Sequence, residues 1–234
     1  MQINGDKKIV AIIPARGSSK RIHRKNIRIL GGHPLIAWTI KAALASKFIS
    51  RTIVSTDDTE IAKIAEDYGA EVPWLRPPNL ATDSATSFSV IKHAMDEFDR
   101  KHELSDAVVM LQPTSPFRSC QDIDEAITLF RKDPDRPVIG CSEISATLEW
   151  CFIENKDFYA PVLGWDSLQT QSQNIKKVIQ INGSIYIAST TSLKMFETFL
   201  QSNFKPFISN YARLSIDIDD EEDWSRAEEF LVTK

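Results

Sequence analysis

Short apolar segments of strand character alternate with segments of helical spacing over the first 141 residues of this chain. The first segment, residues 8–13, is contiguous and bulky, which is typical of a strand covered on both faces. Because the connections are short, the alternation predicts an α/β fold in which a mostly parallel sheet is the middle of three layers. The predicted strands cover residues 8–13, 51–56, 70–75, 106–113 and 137–141, and the predicted helices begin near residues 34, 57, 87 and 122.

The alternation stops in residues 143–181. This segment contains several aromatic residues, together with Gln and Asn, and has little periodicity. We interpret it as an insertion that reaches away from the sheet and offers its aromatic side chains to a partner. Packing on its own chain is an equally good interpretation. Beyond the insertion, the pattern predicts a strand at 183–189, a helix at 193–200, and then a strand, a turn and an amphipathic helix over 212–232.

Composition narrows the class of protein. The 234 residues carry a formal net charge of -4, and this acidity argues against a nucleic-acid partner. The apolar runs are too short to span a membrane, and the first residues lack the features of a signal peptide, so we expect a cytoplasmic protein. The three cysteines form no CxxC pair, which argues against a disulfide framework and a thiolate zinc site.

A strongly basic loop follows the first predicted strand. Residues 12–26 read IIPARGSSKRIHRKN and include no acid. In open α/β sheets, ligands bind at the carboxyl ends of strands, and backbone amides beside Gly17 can point at phosphate oxygens. The loop matches neither the Walker A nor the GxGxxG pattern. It is either an anion site or an ordinary solvated surface. The cationic residues of this region are Arg16, Lys20, Arg21, Arg24, Lys25 and Arg28.

The segment SIDIDD carries two alternating acids. Asp217 and Asp219 share one face if the segment is an extended strand. Two carboxylates on one face suit Mg²⁺, which prefers oxygen ligands and shares its coordination shell with phosphates and water. The alternative is that Asp219 and the acids after it form the first turn of the last helix. That alternative leaves Asp217 unexplained, because this acid lies between two isoleucines.

Two other polar segments are candidate binding elements. In LQPTSPFR, Gln112 and Thr114 follow a buried strand and can hydrogen-bond a substrate. An ordinary turn is the alternative. In LRPPNLATDSATS, Arg76 can bind an anion, whereas Ser84 or Thr86 can simply cap a helix.

Taken together, these segments resemble those of the acylneuraminate cytidylyltransferases, the synthetases of CMP-sialic acid and their relatives that act on legionaminic and pseudaminic acids. The similar segments occur in the family's order and cover nearly the whole chain. They are IIPARGSSKRIHRKN, RPPNLATDSATS, LQPTSPFR, INGSIYIA and SIDIDDEED.

The resemblance implies a Rossmann-like nucleotidyltransferase fold in a single domain, residues 1–234. It also implies a reaction in which the anomeric hydroxyl of a nonulosonic acid attacks the α-phosphate of CTP, giving the CMP-sugar and pyrophosphate. Mg²⁺ is the implied cofactor. The implied partner is a second copy of the chain, in which the 143–181 arm crosses to the other subunit and borders its sugar site.

The resemblance assigns the family's site residues to the matching positions of this sequence. Arg16, Lys20 and Asn26 would hold the nucleotide and its phosphates. Arg76, Ala85 and Ser87 would contact CTP, while Asp217 and Asp219 would hold Mg²⁺. Arg16, Lys20 and Asp217 would form the catalytic set. The residues that would face the sugar are Gln112, Gln173, Asn182 and Tyr186.

Departures from the family pattern fall at the sugar end. Sialic-acid members carry an Arg-Gln and an Arg-Pro pair where this chain has Ser172-Gln173 and Gln180-Ile181, and a Lys of some members falls on Trp150. A pocket with fewer cations suits a 9-deoxy, di-N-acetylated sugar such as legionaminic acid. The sequence supports sialic acid equally well as the substrate, and pseudaminic acid is the third candidate.

Two other functional classes compete with this interpretation. A metal-dependent glycosyltransferase would use an Asp-x-Asp after a middle strand, but here that pattern is near the C-terminus and the basic loop suits a free triphosphate. A non-catalytic nucleotide-binding module would tolerate loss of Lys20 or Asp217, and this chain has both.

Overall fold

A six-stranded sheet forms the centre of the computed structural model, which describes residues 8–103, 105–208 and 212–232. The order of its strands is β10-β6-β9-β5-β1-β4. Two short antiparallel ribbons, β2-β3 and β7-β8, lie outside it. The strands are β1 Ile9–Pro14, β2 Ile29–Leu30, β3 His33–Pro34, β4 Ile49–Ser55, β5 Ala107–Met110, β6 Val138–Ile144, β7 Phe152–Asn155, β8 Phe158–Pro161, β9 Val178–Ser189 and β10 Lys205–Ile208.

Five strands of the main sheet run in one direction, and β9 runs against them between β5 and β6. Met110, at the end of β5, pairs with Tyr186 of β9. The antiparallel direction of β9 therefore brings its first half to the edge where β1, β4 and β5 end. This is the edge at which ligands bind in open α/β sheets.

Helices cover both faces of the sheet. Along β1, Ile9, Ala11 and Ile13 enter the core beneath α1, α2 and α4, whereas Val10 and Ile12 enter the core beneath α3 and α5. The α/β fold with a three-layer, mostly parallel sheet is thus confirmed. The helices are α1 Leu35–Leu44, α2 Thr59–Asp67, α3 Ser87–Arg100, α4 Cys120–Arg131, α5 Thr190–Phe196 and α6 Glu221–Val232. None of the helices among the described residues is long and apolar enough to cross a membrane.

Polar side chains fix where helices begin beside the ligand-binding edge. Asp58 caps α2 by accepting hydrogen bonds from the backbone amides of Glu60 and Ile61. Thr86 caps α3 by accepting from the amide of Ser89, so of the two residues proposed as caps it is Thr86, and not Ser84, that has this role.

The predicted strand at 70–75 is wrong. Glu71 makes an isolated parallel bridge to Ile53, but the pairing does not continue. Pro73 has no amide hydrogen to donate to a ladder, which explains why the chain leaves the sheet there. The segment then returns towards β4, where the amide of Arg76 donates to the carbonyl oxygen of Thr56 at 2.7 Å.

The segment interpreted as an insertion has more regular structure than the sequence pattern indicates. β7 and β8 form a hairpin inside it, and β6 and β9 remain paired up to Ile144 and Val178. The arm proper therefore covers residues 145–177. Its aromatic side chains are largely exposed, with Phe158 at 63% and Trp165 at 67%.

The C-terminal third also differs from expectation. The helix predicted at 193–200 is α5, which ends at Phe196, and the sequence pattern missed the edge strand β10. The strand predicted before the last helix is wrong. A 3-10 turn, Ala212–Ser215, leads instead into an extended segment outside the sheet, where the amide of Ile218 donates to the carbonyl oxygen of Thr114 at 2.8 Å. The Ile218 side chain is buried beside Trp224, and this contact fixes the segment.

Candidate active site

The basic loop after β1 is anchored by hydrogen bonds to distant segments. The Gly17 amide donates to Asp57 Oδ1 at 3.1 Å, and Lys25 Nζ donates to the carbonyl oxygen of Ile218 at 2.7 Å. Within the loop, Asn26 Nδ2 donates to the carbonyl oxygen of Arg16 at 3.0 Å. A Cβ atom at Gly17 would lie 2.7 Å from Asp58 Oδ2, so only glycine allows this close approach.

A cavity of about 440 Å³ lies between this loop and the carboxyl ends of β1 and β5. Its wall includes most of the residues that the sequence assigned to the nucleotide site, brought together from four separate segments. The sequence-predicted residues that line it are Arg16, Lys20, Asn26, Arg76, Ala85, Ser87, Gln112 and Asp219. Four others, Gln173, Asn182, Tyr186 and Asp217, are not part of this lining.

The lining is rich in positive charge. Five cationic residues contribute to it, against the two acids Asp83 and Asp219. Asp83 forms ion pairs with two of these cations, Arg16 and Lys20. A net positive cavity attracts an anion that carries several negative charges. The five cationic residues are Arg16, Lys20, Arg21, Lys25 and Arg76.

Arg76 is buried, with 5% of its surface exposed. Its Nη2 atom lies 3.4 Å from Oδ1 of Asp57, the same oxygen that accepts from the Gly17 amide. Burial lowers the pKa of Arg76, and the negative charge of Asp57 opposes that shift. Asp57 therefore joins Arg76 to the basic loop. No periodicity or motif in the sequence singles out Asp57, because its role depends on contacts with residues distant in the chain.

A second group of polar atoms meets over Gly183, next to the cavity. A Cβ atom at Gly183, whose φ is 74°, would lie 2.8 Å from Gln112 Oε1, 3.4 Å from Asp217 Oδ2 and 3.5 Å from Ser115 Oγ. The pairing of β9 with β6 shifts register here, opposite Gly140. Such a bulge redirects a strand, and here it brings the backbone of β9 against Gln112 and Asp217.

The two carboxylates predicted to bind metal have different surroundings. Asp217 is half-buried, and its Oδ1 atom accepts a long hydrogen bond, 3.5 Å, from Ser115 Oγ. Burial raises the pKa of Asp217, a hydrogen bond with Thr114 opposes the shift, and the charge of Asp219 adds to it. Asp219 is exposed and lies 3.2 Å from Lys25 Nζ and 3.4 Å from Arg21 Nη1.

The remaining sugar-site candidates are dispersed in the single chain. Asn182 is buried, and its side chain donates to Ser142 Oγ and accepts from Ser184. Tyr186 stacks edge-on against Phe199, and burial raises its pKa to about 12. Gln173 lies exposed on the arm.

The fold and the cavity define an α/β nucleotide-binding enzyme, and comparison with known proteins gives its family. A family model described as cytidylyltransferase matches residues 10–208. The chain belongs to this family and is a nucleotidyltransferase of the CMP-acylneuraminate synthetase type. That membership disfavours both the glycosyltransferase and the non-catalytic interpretation.

Curated relatives cover almost the whole chain. It is 38% identical over 226 residues to the CMP-N,N'-diacetyllegionaminic acid synthase of Legionella pneumophila, covering 96% of each protein. It is 35% identical to the N-acylneuraminate cytidylyltransferase of Escherichia coli, where 94% of this chain matches 51% of that protein. It is 31% identical to a pseudaminic acid cytidylyltransferase of Campylobacter jejuni, covering 91% of each.

Solved structures share the fold. A CMP:2-keto-3-deoxy-manno-octonic acid synthetase complexed with CTP superposes with a TM-score of 0.74 over 97% of this chain and 99% of that one, at 16% identity. The 4-diphosphocytidyl-2C-methyl-D-erythritol synthase of Anaerococcus prevotii gives a TM-score of 0.66 over 97% and 100%, at 18% identity. At these identities the likeness concerns the fold alone.

Proposed function

We propose that this protein transfers CMP from CTP to the anomeric hydroxyl of a nonulosonic acid and releases pyrophosphate. The observation that carries the proposal is the cationic cavity at the carboxyl ends of β1 and β5, in a chain of the cytidylyltransferase family. The cavity is large enough for a nucleotide, since small-molecule sites commonly enclose about 300–1,000 Å³.

The triphosphate binds against the basic loop. Arg16 and Lys20 exchange the carboxylate of Asp83 for phosphate oxygens, and the buried guanidinium of Arg76 faces the nucleotide with Ala85 and Ser87. Phosphoryl-type transfers depend mainly on positioning and on neutralising charge in the transition state. A cluster of fixed cations around the leaving pyrophosphate supplies both.

The acceptor sugar binds beside Gly183, where Gln112 and Asp217 meet. The hydroxyl oxygen of the sugar forms a bond to the α-phosphorus while the bond to pyrophosphate breaks, and Asp217 accepts the hydroxyl proton. Asp217 Oδ2 lies 3.4 Å from the Cβ position of Gly183, so this carboxylate faces the place assigned to the acceptor. Asn182 and Tyr186 complete the sugar site from β9, and Gln173 completes it from the arm.

Mg²⁺ fits the donor set of Asp217 and Asp219. Among the described residues, no group of three or more His, Cys, Asp and Glu side chains could hold a metal ion, so the remaining ligands would have to be phosphate and water oxygens. Two carboxylates beside a phosphate site suit Mg²⁺, which prefers oxygen ligands and would take its others from phosphate and water. When bound, Mg²⁺ would neutralise charge on the phosphates.

The sugar we favour is N,N'-diacetyllegionaminic acid. The Legionella pneumophila relative named for this sugar matches over nearly the full length of both chains, at the highest identity of the three relatives described above. The absence of arginines at positions 172 and 180 is consistent with a less cationic sugar pocket. N-acetylneuraminic acid is the second candidate, and pseudaminic acid is the third.

We also propose a homodimer in the cytoplasm. The arm exposes a row of apolar side chains, including Ile153, Phe158, Leu163 and Trp165, which a second copy would cover. Cys120, Cys141 and Cys151 are all free thiols, as expected in a reducing compartment.

Pyrophosphate release with CTP and Mg²⁺ tests the function. N-acetylneuraminic, legionaminic, pseudaminic and deaminated nonulosonic acids are compared with a no-sugar control, and the CMP-sugar is identified by mass spectrometry. Release that depends on one of these acids, fastest with the diacetylated legionaminic acid, is expected. Release with none of them, while CTP still binds, would contradict the proposal.

A further inference from the structure

Arg118 is the most deeply buried cation among the described residues, with 2% of its surface exposed. Arg118 is the last residue of the LQPTSPFR segment, and it is not among the residues that line the cavity. Burial lowers its pKa to about 9, and the charges of Asp122 and Asp217 oppose that shift. The guanidinium therefore stays charged at neutral pH.

Its hydrogen-bond partners are all neutral oxygens. Nη1 donates to the carbonyl oxygen of Ser184 at 2.5 Å, and Nη2 donates to Thr39 Oγ1 at 2.8 Å. Longer contacts, 3.4 and 3.5 Å, reach the carbonyl oxygen of Gln112. Within the described part of the chain no carboxylate pairs with Arg118, and the nearby Asp122 is instead paired with Arg213 at 2.7 Å.

A buried cation without a carboxylate partner is costly for stability, because desolvation is not offset by an ion pair. An apolar side chain of similar volume would avoid this cost. A fixed charge at this position is therefore better explained by what it holds than by stability.

Arg118 holds two segments that meet at the proposed sugar site. The Gln112 carbonyl is at the end of β5, and the Ser184 carbonyl is next to Gly183 on β9. Gln112 Oε1 lies 2.8 Å from the Cβ position of Gly183, and Asp217 Oδ2, which belongs to a third segment, lies 3.4 Å from it. One guanidinium thus joins both backbones behind the polar group that faces the acceptor.

We propose that Arg118 is a positioning residue for the acceptor half of the reaction: it joins the end of β5 to β9 and so sets the position of Gln112 against Gly183, beside Asp217, without touching either substrate. The inference rests on the proposed function, because it assigns the acceptor to this group. The basic loop and Arg76, which we assign to the triphosphate, share no hydrogen bond with Arg118 in the described structure, whereas Gln112, which also lines the cationic cavity, does.

The test compares the wild type with Arg118→Lys and Arg118→Met. The dissociation constant of CTP is measured by calorimetry, and kcat and the KM of the active sugar acid by pyrophosphate release. We expect CTP binding within about twofold of wild type, and a combined loss of about tenfold or more in kcat/KM for the sugar, because small misplacements of reacting groups are costly. Arg118→Lys keeps the positive charge, but a lysine ammonium cannot reach the three acceptors that the planar guanidinium reaches. We therefore expect this variant to keep more activity than Arg118→Met and less than the wild type.

Arg51→Met is the matched control for loss of stability. Arg51 pairs with Glu71 and Glu103 at the opposite edge of the sheet, so its loss should lower the melting temperature without changing the KM of the sugar. Thr39→Val, which removes the acceptor of Arg118 Nη2 with little change of volume, is the second probe. Thr39→Val tests the proposal even if both Arg118 variants fail to fold. Like them, it should lower kcat/KM for the sugar.

The outcomes are distinct. Unchanged sugar kcat/KM in folded Arg118 or Thr39 variants overturns the positioning role, as does an equal loss of CTP affinity, which indicates a general structural effect. A wild-type protein that binds CTP but uses no sugar acid contradicts the proposed function and the positioning role together. Only the first two results leave the proposed function intact.

Discussion

The carboxylate of Asp83 lies 2.5 Å from Lys20 Nζ, and both residues line the cationic cavity. The same carboxylate reaches Arg16 at 2.8 Å, and these cations lower the pKa of Asp83. Asp83 thus occupies the position of an anion between two side chains that we assign to the triphosphate. Phosphate and Asp83 cannot both be the principal partner of these cations.

Replacing Asp83 with Asn should tighten CTP binding a few-fold, because the substituted amide competes less well for Arg16 and Lys20. The gain should shrink as salt rises, since exposed charges are screened. Calorimetric titration at low and high ionic strength measures the CTP affinity of the variant and of the wild type. Asp96→Asn is the control, because Asp96 forms a comparable exposed pair with Lys92 away from the cavity. Weaker binding by Asp83→Asn would show that Asp83 supports the ligand and does not compete with it.

Loss of Lys20 should slow turnover by on the order of a hundredfold or more, if its ammonium neutralises charge on the transferring phosphates. Steady-state kinetics of Lys20→Ala, with circular dichroism to verify the fold, check this. Lys63→Ala is suitable as a control, because Lys63 is an exposed residue of α2. A change confined to the KM of the sugar would place Lys20 elsewhere in the site.

Replacing Asp217 with Asn should lower kcat by about a thousandfold, within the usual range for a lost general base, while the fold stays intact. Turnover is followed by pyrophosphate release at saturating CTP and sugar. Asp67→Asn, at the exposed end of α2, controls for loss of one negative charge. Near-normal turnover in the folded Asp217 variant would remove both its metal role and its role as base.

Asp217→Asn should stabilise the folded protein at neutral pH, although it lowers kcat. Because burial raises the folded-state pKa of Asp217, its charged form costs stability at neutral pH, and protonation relieves that cost as pH falls through the folded pKa. Without CTP and Mg²⁺, Asp217→Asn should melt at a higher temperature than wild type at pH 7. The difference should disappear at acid pH. A variant that melts lower at pH 7 would mean that the carboxylate is stabilised by its partners.

Removing the arm should give monomers that bind CTP but do not use the sugar. Ile144 and Val178 are paired neighbours, so an Asn-Gly turn can replace residues 145–177 and close β6 and β9 as a hairpin. Light scattering measures the mass, and calorimetry measures CTP binding. Trp165→Ser is a milder companion variant at an exposed aromatic residue of the arm. A dimer that persists after deletion would place the interface elsewhere.

Much of the fold was predictable, because its signals are local. The buried run of β1, the amphipathic helices and the strands β4, β5 and β6 can be recognised within ten or so residues, and these elements are confirmed. The strand expected at 70–75 failed because Pro73 and tertiary packing override its apolar pattern. β10 was missed since four residues, Lys205–Ile208, are too few to show a period, and pairing with β6 decides their conformation.

The candidate site also has one part that local sequence predicts and another that it does not. The sequence by itself determined the α/β class, the family and the cationic loop, because a motif needs only residue type and spacing. Only the tertiary structure decided that Asp83 pairs with Lys20, that Asp57 joins Gly17 to Arg76, and that Arg118 joins β5 to β9. Apart from the contact between Arg118 and Gln112, which are six residues apart, these contacts join residues that are at least 19 positions apart in sequence. The distance between such groups is set by sheet order and helix packing, which no local pattern of residues contains.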